Sequence, residues 1–439
     1  MGQSINSTHA IFIGDDVRHE ARRALLNYVG CALGGSRHPA VDTIVRALQP
    51  YSGQPNANVL ARAERFDPLH AALINGVSSH VYEYDDTTPK NYIHPTSPVA
   101  SALFAYASAN RVTGADFIHA FVMGFEAESR VGNAVYPAHY EAGWHITGTA
   151  GVFGAAAAIG KLFALSVDEM VWAIGLAATQ AAGLREMFGS MAKSFHSGRA
   201  AQNGYASALL AQAGFTASER SIEGPRGFAV VQAARCDLSK ITAGLGVDFE
   251  IRDNAYKPYP CGIVVHPTID GCIELHQQHR PAPENIRAVR VRVAPLVLDL
   301  CNKRDITRGI ESRYSIYHSA ATGLVRGKSG LQEYTDEAVN DPQIKRVREC
   351  VTAAADPSIT EDQSFIEVEL KNGEKITHFV EQSLGNLRRP LTDRQLEDKF
   401  RGQAVLAAPQ VQVEKLIDLC WRIDRLNDVN ELVRVTLPG

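Results

Sequence analysis

The chain has 439 residues, 45% hydrophobic and 21% charged, with a net charge of −4 and a pI near 6.4. That is the composition of a soluble globular protein long enough for two domains, each able to bury most of its apolar surface. So weak a charge balance, with no basic stripe interleaved with aromatics, excludes nucleic acid as an expected partner.

At the N-terminus, "MGQSINSTHAIFIGDD" has no basic region followed by an apolar run, so no secretory signal is expected. Gly2 and Ser4 fit a myristoylation pattern, but Asn6 stands where it needs Ser or Thr. Residues 17–33 then place Val17, Ala21, Ala24, Leu25, Tyr28, Val29 and Ala32 on one helical stripe, with Asp15 or Asp16 as cap and Gly34-Gly35 as stop. Similar periodicity recurs to about residue 250, and the many core-facing Ala and Gly predict closely approaching helices. The longest apolar run, "TGTAGVFGAAAAIGKLFAL", is broken by Lys161 and is too short to span a bilayer, so no membrane partner is expected.

Near residue 253 the pattern changes. Val289, Val291 and Val293 alternate with arginines, and Ile366, Val368 and Leu370 alternate with glutamates ahead of an Asn372-Gly373 turn, which predicts half-exposed strands and a hairpin. "IKRVRECVTAAADP" between them reads as a short helix. Helical periodicity returns after Pro390, in a tail expected to pack back on the first domain. The expected fold is mainly α with an α+β second domain: 1–252 helical, 253–389 α+β, and 390–439 completing the helical part.

Four stretches concentrate polar groups where the periodicity breaks. In "SSHVYEYDDTTPKNYIHPTSPV" the helix is expected to end near Tyr84, because Pro89, Pro95 and Pro98 forbid its continuation. That leaves Glu83, Asp85, Asp86, Thr87 and His94 on a loop between helices; the alternative for Asp85-Asp86 is a solvated helix end. In "HYEAGWHITGTAGVFGAAAA", which holds Tyr140, both Walker A and G-x-G-x-x-G fail, leaving His145 at a helix N-terminus that favours an anion.

"GSMAKSFHSGRAAQNG" puts Lys193 on one face with His196 or Ser197, where a buried lysine needs a compensating anion. "NAYKPYPCGIVVHPTID" contributes Lys257, His266 and Cys261, the last read as inert. The seven cysteines stand singly with no C-x-x-C pair, and no metal-binding spacing such as H-E-x-x-H occurs. Reduced thiols in a cytoplasmic or organelle-matrix compartment, and no metal or other cofactor, are therefore expected. Lysines, imidazoles and a few carboxylates suit a small polyanionic substrate and proton transfer at carbon.

These four stretches, in order, together with "FVEQSLGNLRRPLTDRQLEDKF", resemble the signatures of the MmgE/PrpD family over nearly the whole chain. That family includes 2-methylcitrate dehydratase, cis-aconitate decarboxylase and iminodisuccinate epimerase. The resemblance implies a homodimer, a large helical domain built from both chain ends, an inserted α+β lid, and a metal-independent active site between them.

Carried over residue by residue, it makes His94, His145, Lys193, Thr87 and Asp86 catalytic candidates. Lys257, Tyr140, Glu83, His196, His266 and His318 are the substrate-binding ones. Glu83 stands where a decarboxylase-type member carries Asp, Gly262 where some members carry His, and His318 where others carry Tyr. The expected activity is a lyase, first a dehydratase of a citrate-like or alkylcitrate-like acid. Decarboxylation of a cis-aconitate-type acid, epimerisation, and a catalytically silent scaffold are the alternatives.

Overall fold

The computed structural model describes residues 13–438; the segment with Gly2, Ser4 and Asn6 lies outside them. The helices that frame the site are α1 (Asp15–Gly35), α2 (Pro68–His80), α3 (Thr96–Ala109), α4 (Gly114–Val135), α5 (Ile146–Leu162), α6 (Met191–Gln212), α7 (His266–His279), α8 (Ile316–Arg326) and α9 (Asp393–Ala404). Among the described residues no helix is long and apolar enough to cross a membrane.

The fold is mainly α with an α+β part, and its buried side chains form two cores. The larger runs from Ile13 to Tyr256 and resumes from Leu391 to Val433, so both chain ends contribute to it; the smaller spans Cys261 to Val380. The C-terminal helix α9 lies on α1 because Gly30 and Gly34 leave room for it. A Cβ at Gly30 would stand 3.0 Å from the Phe400 ring, and one at Gly34 3.1 Å from Gln403. Arg23 adds an ion pair to Asp393 and a 2.7 Å hydrogen bond to the Leu391 carbonyl.

Helices α2 and α6 cross at a pair of glycines. A Cβ at Gly76 would sit 2.5 Å from the Gly198 Cα, and one at Gly198 would sit 2.2 Å from the Leu73 carbonyl oxygen. Any side chain there would push the helices apart. Their close approach brings the C-terminal end of α2 against the first turn of α6, which is where the polar cluster lies.

Two short strands join the site loop to the segment between the cores. β1 (Asp86–Thr87) pairs antiparallel with β2 (Ala255–Tyr256), setting Asp86 opposite Tyr256 and bringing Lys257, the residue after β2, to the site loop. The second core packs on a mixed sheet of β3 (Ile286–Val293), β4 (Val351–Ala355), β5 (Ser364–Leu370) and β6 (Lys375–Val380), in the order β4-β3-β5-β6. β5 and β6 form the predicted hairpin, and its turn uses Gly373 at φ +88°.

Several local expectations are corrected. The cap of α1 is Gly14, with Asp15 and Asp16 in its first turn. The expected helix over 344–357 stops at Cys350, and Val351–Ala355 is a strand paired in parallel with β3. The alanines favour helix locally, but the backbone groups of β3 offer a ladder, and tertiary pairing overrides propensity. Helix α2 ends at His80, four residues before Tyr84. The chain then turns through Glu83, whose φ of +54° is left-handed and incompatible with continuing a helix.

Candidate active site

Between the two cores lies a small cavity, with about 50 Å³ open to the centre of a water-sized sphere. Its polar wall is Glu83, Thr87, His94, His145, Lys193, Lys257 and Tyr314; its apolar wall includes Phe188, Ile263, Val264 and Leu300. Tyr92, Tyr140, Gly262 and Cys301 complete the lining.

The loop carrying Glu83 is held from three directions. Arg313, from the second core region, donates to the Val81 carbonyl at 2.6 Å; Lys399 on α9 donates to the Tyr84 carbonyl at 2.6 Å; and the Tyr84 hydroxyl donates to the Pro258 carbonyl at 2.9 Å. Such clamping sustains the left-handed backbone at Glu83, a strained conformation of the kind found at functional sites. The turn delivers the Glu83 carboxylate to two ammonium groups. Lys193 Nζ lies 2.5 Å from both carboxylate oxygens, and Lys257 Nζ lies 3.6 Å from one of them while donating to the Glu83 carbonyl at 3.2 Å.

Lys193 and Lys257 are only 3% and 1% exposed, so each ammonium depends on its partners rather than on water. Burial alone would raise the Glu83 pKa, but Lys193 overrides it, reinforced by Lys257, and holds the carboxyl well below its ordinary range. Burial lowers the Lys193 pKa, and Glu83 only partly opposes that.

The imidazoles line the same polar wall. His94 reaches the Asp86 backbone carbonyl through Nδ1 at 2.8 Å, and its own N–H donates to the Thr147 hydroxyl at 3.0 Å. His145 caps α5 and meets His196 through the two Nδ1 atoms at 2.9 Å, leaving its Nε2 buried with no hydrogen-bond partner among the described residues. Burial, reinforced by Lys257 and Lys193, drops the His94 pKa well below the imidazole range; burial and Lys193 do the same for His145. Both rings are therefore uncharged at neutral pH and offer a lone pair.

The predicted residues do not all converge. Asp85 and Asp86 are buried, at 1% and 0% exposure, which rules out a solvated helix end. The Asp86 side chain faces away from the cavity, accepting from Thr96 and from Asn254 at 2.7 Å, and its link to His94 runs through the backbone. His196 lies one shell behind His145.

His266 is outside the lining and packs edge-on against Tyr259. His318 is also outside, because Ser315 caps α8 and turns His318 inward to the Glu333 carbonyl at 2.7 Å. Sequence reasoning placed His318 where other members carry Tyr, but the tyrosine at the cavity wall is Tyr314, four residues earlier and close to Glu83. Burial pushes the Cys261 thiol up to about 12, in keeping with an inert cysteine.

Sequence reasoning missed His80. It is fully buried, stands 2.6 Å from the Asp85 carboxylate through Nδ1, and meets Lys193 Nζ at 3.2 Å through Nε2. A lone histidine inside a helical pattern carries no signal of its own; only its spacing of three from Glu83 and five from Asp85 points to it. One ring nitrogen from each of His80, His94 and His145 lies within 4.8 Å of the others, a set of the right type to hold a transition metal ion. However, the His80 Nε2 faces the Lys193 ammonium, which competes with a cation for that lone pair.

The second core region is also tied to this wall. Arg185 donates to Asp299 at 2.6 Å and to the Tyr140 carbonyl at 3.0 Å, with its guanidinium 4.3 Å from the Tyr140 ring centroid.

Residues 4–239 match the model of the MmgE/PrpD N-terminal domain, and residues 259–423 that of the MmgE/PrpD C-terminal domain. The chain belongs to the MmgE/PrpD family. Among MmgE/PrpD relatives, it is 27% identical to a cis-aconitate decarboxylase of Aspergillus terreus, over 96% of this chain and 92% of the relative. A cis-aconitate decarboxylase of Mus musculus is 24% identical over 96% and 89%. A 2-methylcitrate dehydratase of Salmonella typhimurium is 22% identical over 94% and 91%.

Proposed function

We propose that this MmgE/PrpD chain is a lyase acting on a small polycarboxylate, with buried ammonium groups rather than a metal ion as its cationic element. The observation that carries this reading is the polarity of the cavity. Two lysines bracket one carboxylate, two uncharged imidazoles share their wall, and Ile263, Val264 and Leu300 line an apolar side. Fixed cations in so dry a site hold substrate carboxylates and stabilise charge developing on the neighbouring carbon. A bound anion raises the pKa of His94 and His145, so either ring can take up a proton and return it to carbon.

Decarboxylation of a cis-aconitate-type acid is the favoured reaction, ahead of the dehydration placed first from sequence. A carboxylate laid against Ile263, Val264 and Leu300 finds no partner there. Breaking its bond to carbon releases neutral CO₂ and moves the electron pair toward Lys193 and Lys257, after which an imidazolium protonates the carbon. The relatives named cis-aconitate decarboxylase support this order.

Dehydration of a citrate-like or 2-methylcitrate-like acid is the second reading. Two imidazoles with centroids 6.4 Å apart could remove a proton and protonate a departing hydroxyl, and a 2-methylcitrate dehydratase is also a relative. We further propose a homodimer, because Met191, Phe195, Leu209 and Leu210 stand exposed along one side of α6. A sedimentation mass equal to one chain would refute it.

Chelator-treated protein incubated with cis-aconitate, citrate, 2-methylcitrate and iminodisuccinate tests the assignment. Gas release from cis-aconitate supports decarboxylation, enoate absorbance appearing from citrate or 2-methylcitrate supports dehydration, and a change of optical rotation alone supports epimerisation. Absence of turnover with all four favours a scaffold. Activity that depends on added metal overturns the proposal, as does normal turnover by Lys193→Met.

A further inference from the structure

The Lys193 ammonium meets an imidazole as well as a carboxylate. It has three N–H donors. Glu83 takes donation at 2.5 Å, and His80 Nε2 stands at 3.2 Å. An ammonium can only donate, so the His80 Nε2 is an acceptor and the ring proton sits on Nδ1. There the Asp85 Oδ2 receives it at 2.6 Å. Among the described residues the other Asp85 oxygen is buried with no hydrogen-bond partner, an expense a purely structural pair would ordinarily avoid. Asp85 Oδ2 also lies 3.7 Å from His94 Nδ1, so one carboxylate stands behind both the ammonium and an imidazole of the cavity.

We propose that Asp85 and His80 are positioning residues for Lys193: Asp85 fixes the tautomer of His80, and His80, together with the two Glu83 oxygens, fixes the ammonium in its place on the cavity wall. The inference rests on the reading of this cavity as a lyase site and adds two residues to it. Neither touches the reacting atoms. Besides His80 and Glu83, the titratable groups that bear on Lys193 are Asp85, Lys257, His94, His145 and His196. The last four are kept in every variant below, so a change in titration is traceable to the pair.

Asp85→Asn keeps the shape, but its amide can donate to Nδ1 and send the ring proton to Nε2, where it opposes the Lys193 N–H. The expected result is a fall in kcat/KM on the order of 10²-fold, with the alkaline limb of its pH profile displaced to lower pH, since the ammonium loses an acceptor that favours its charged form. A parallel arm reads the tautomer directly. Long-range ¹H–¹⁵N spectra of histidine-labelled protein should show His80 protonated on Nδ1, and on Nε2 in Asp85→Asn. In a His80→Gln background, Asp85→Asn should cost little more, since the residue it acts through is gone.

An unshifted alkaline limb in Asp85→Asn, full additivity of the two substitutions, or a native His80 protonated on Nε2 would each overturn the proposal. If Asp85→Asn does not fold, His80→Gln alone must still displace the limb. If none of the candidate acids is turned over by the native protein, the functional reading fails, and the tautomer spectra still decide the pair.

Discussion

Glu83 and Lys193 are 110 positions apart in the chain, yet both carboxylate oxygens of Glu83 lie 2.5 Å from the Lys193 ammonium. Removing the carboxylate leaves Lys193 and Lys257 facing each other in a buried site. Glu83→Gln should therefore destabilise the protein by roughly 3–5 kcal/mol, the cost of breaking a buried pair from one side. A carboxyl depressed on folding stabilises the native state above its unfolded pKa near 4.5, and that contribution is lost as the pH falls through the folded value. Urea titrations should thus show the gap between native protein and variant narrowing below about pH 4.5. A gap independent of pH would refute the pairing.

His94 and His145 are held uncharged by burial and by the two lysines. Each of His94→Asn and His145→Asn should lower kcat/KM by about 10²–10⁴-fold. Because kcat/KM reports the free enzyme, its acid limb should fall below pH 6.5, the ordinary imidazole value. An acid limb above 6.5 would assign the proton transfer to other groups.

Asp86 has the opposite sign. Burial raises its carboxyl to about 7, against hydrogen bonds from Thr96 and Asn254 that favour the ionised form. A carboxyl raised on folding favours the native state below its unfolded pKa near 3.8, and that benefit fades as the pH climbs through about 7. Asp86→Asn should gain stability relative to the native protein as the pH rises from about 3.8 to about 7 and level off above that. It should also keep turnover within about tenfold, because His94 leans on the Asp86 backbone and not on its carboxyl. Loss of activity approaching that of a His94 variant would place the side chain in the chemistry.

The Gly76–Gly198 crossing sets the distance between His80 and Lys193. Gly198→Ala puts a methyl 2.2 Å from the Leu73 carbonyl oxygen, closer than any real contact. Overpacking of this kind costs roughly 1–3 kcal/mol or more. Thermal melts should show that loss, and turnover should fall with it although no cavity side chain has changed. Gly402, whose Cβ direction is open, serves as the control.

Much of the architecture could be read from residue order because the hydrophobic period changes where the fold changes. The alternation at Val289, Val291 and Val293 marked a strand, and the Asn372-Gly373 turn marked the hairpin. Val351–Ala355 was misread because a strand at a sheet edge is defined by its neighbour more than by its own alanines. In the site, Lys193 and Lys257 were legible as charges with no local reason to be buried. His80 was not, since its role exists only through Asp85 and Lys193, which the helix crossing brings to it. The four-residue difference between Tyr314 and His318 reflects the start of α8, where Ser315 decides which face turns inward.

The bond between Arg185 and Asp299 joins the two cores beside Tyr140 and Leu300 of the cavity lining, and the Asp299 side chain is 61% exposed. Dissolved ions reach such a clasp, whereas the lysines behind it are sheltered. In the proposed lyase the grip on an acid would thus be set inside by the fold, while the ease with which the two cores part would answer to the saltiness of the medium.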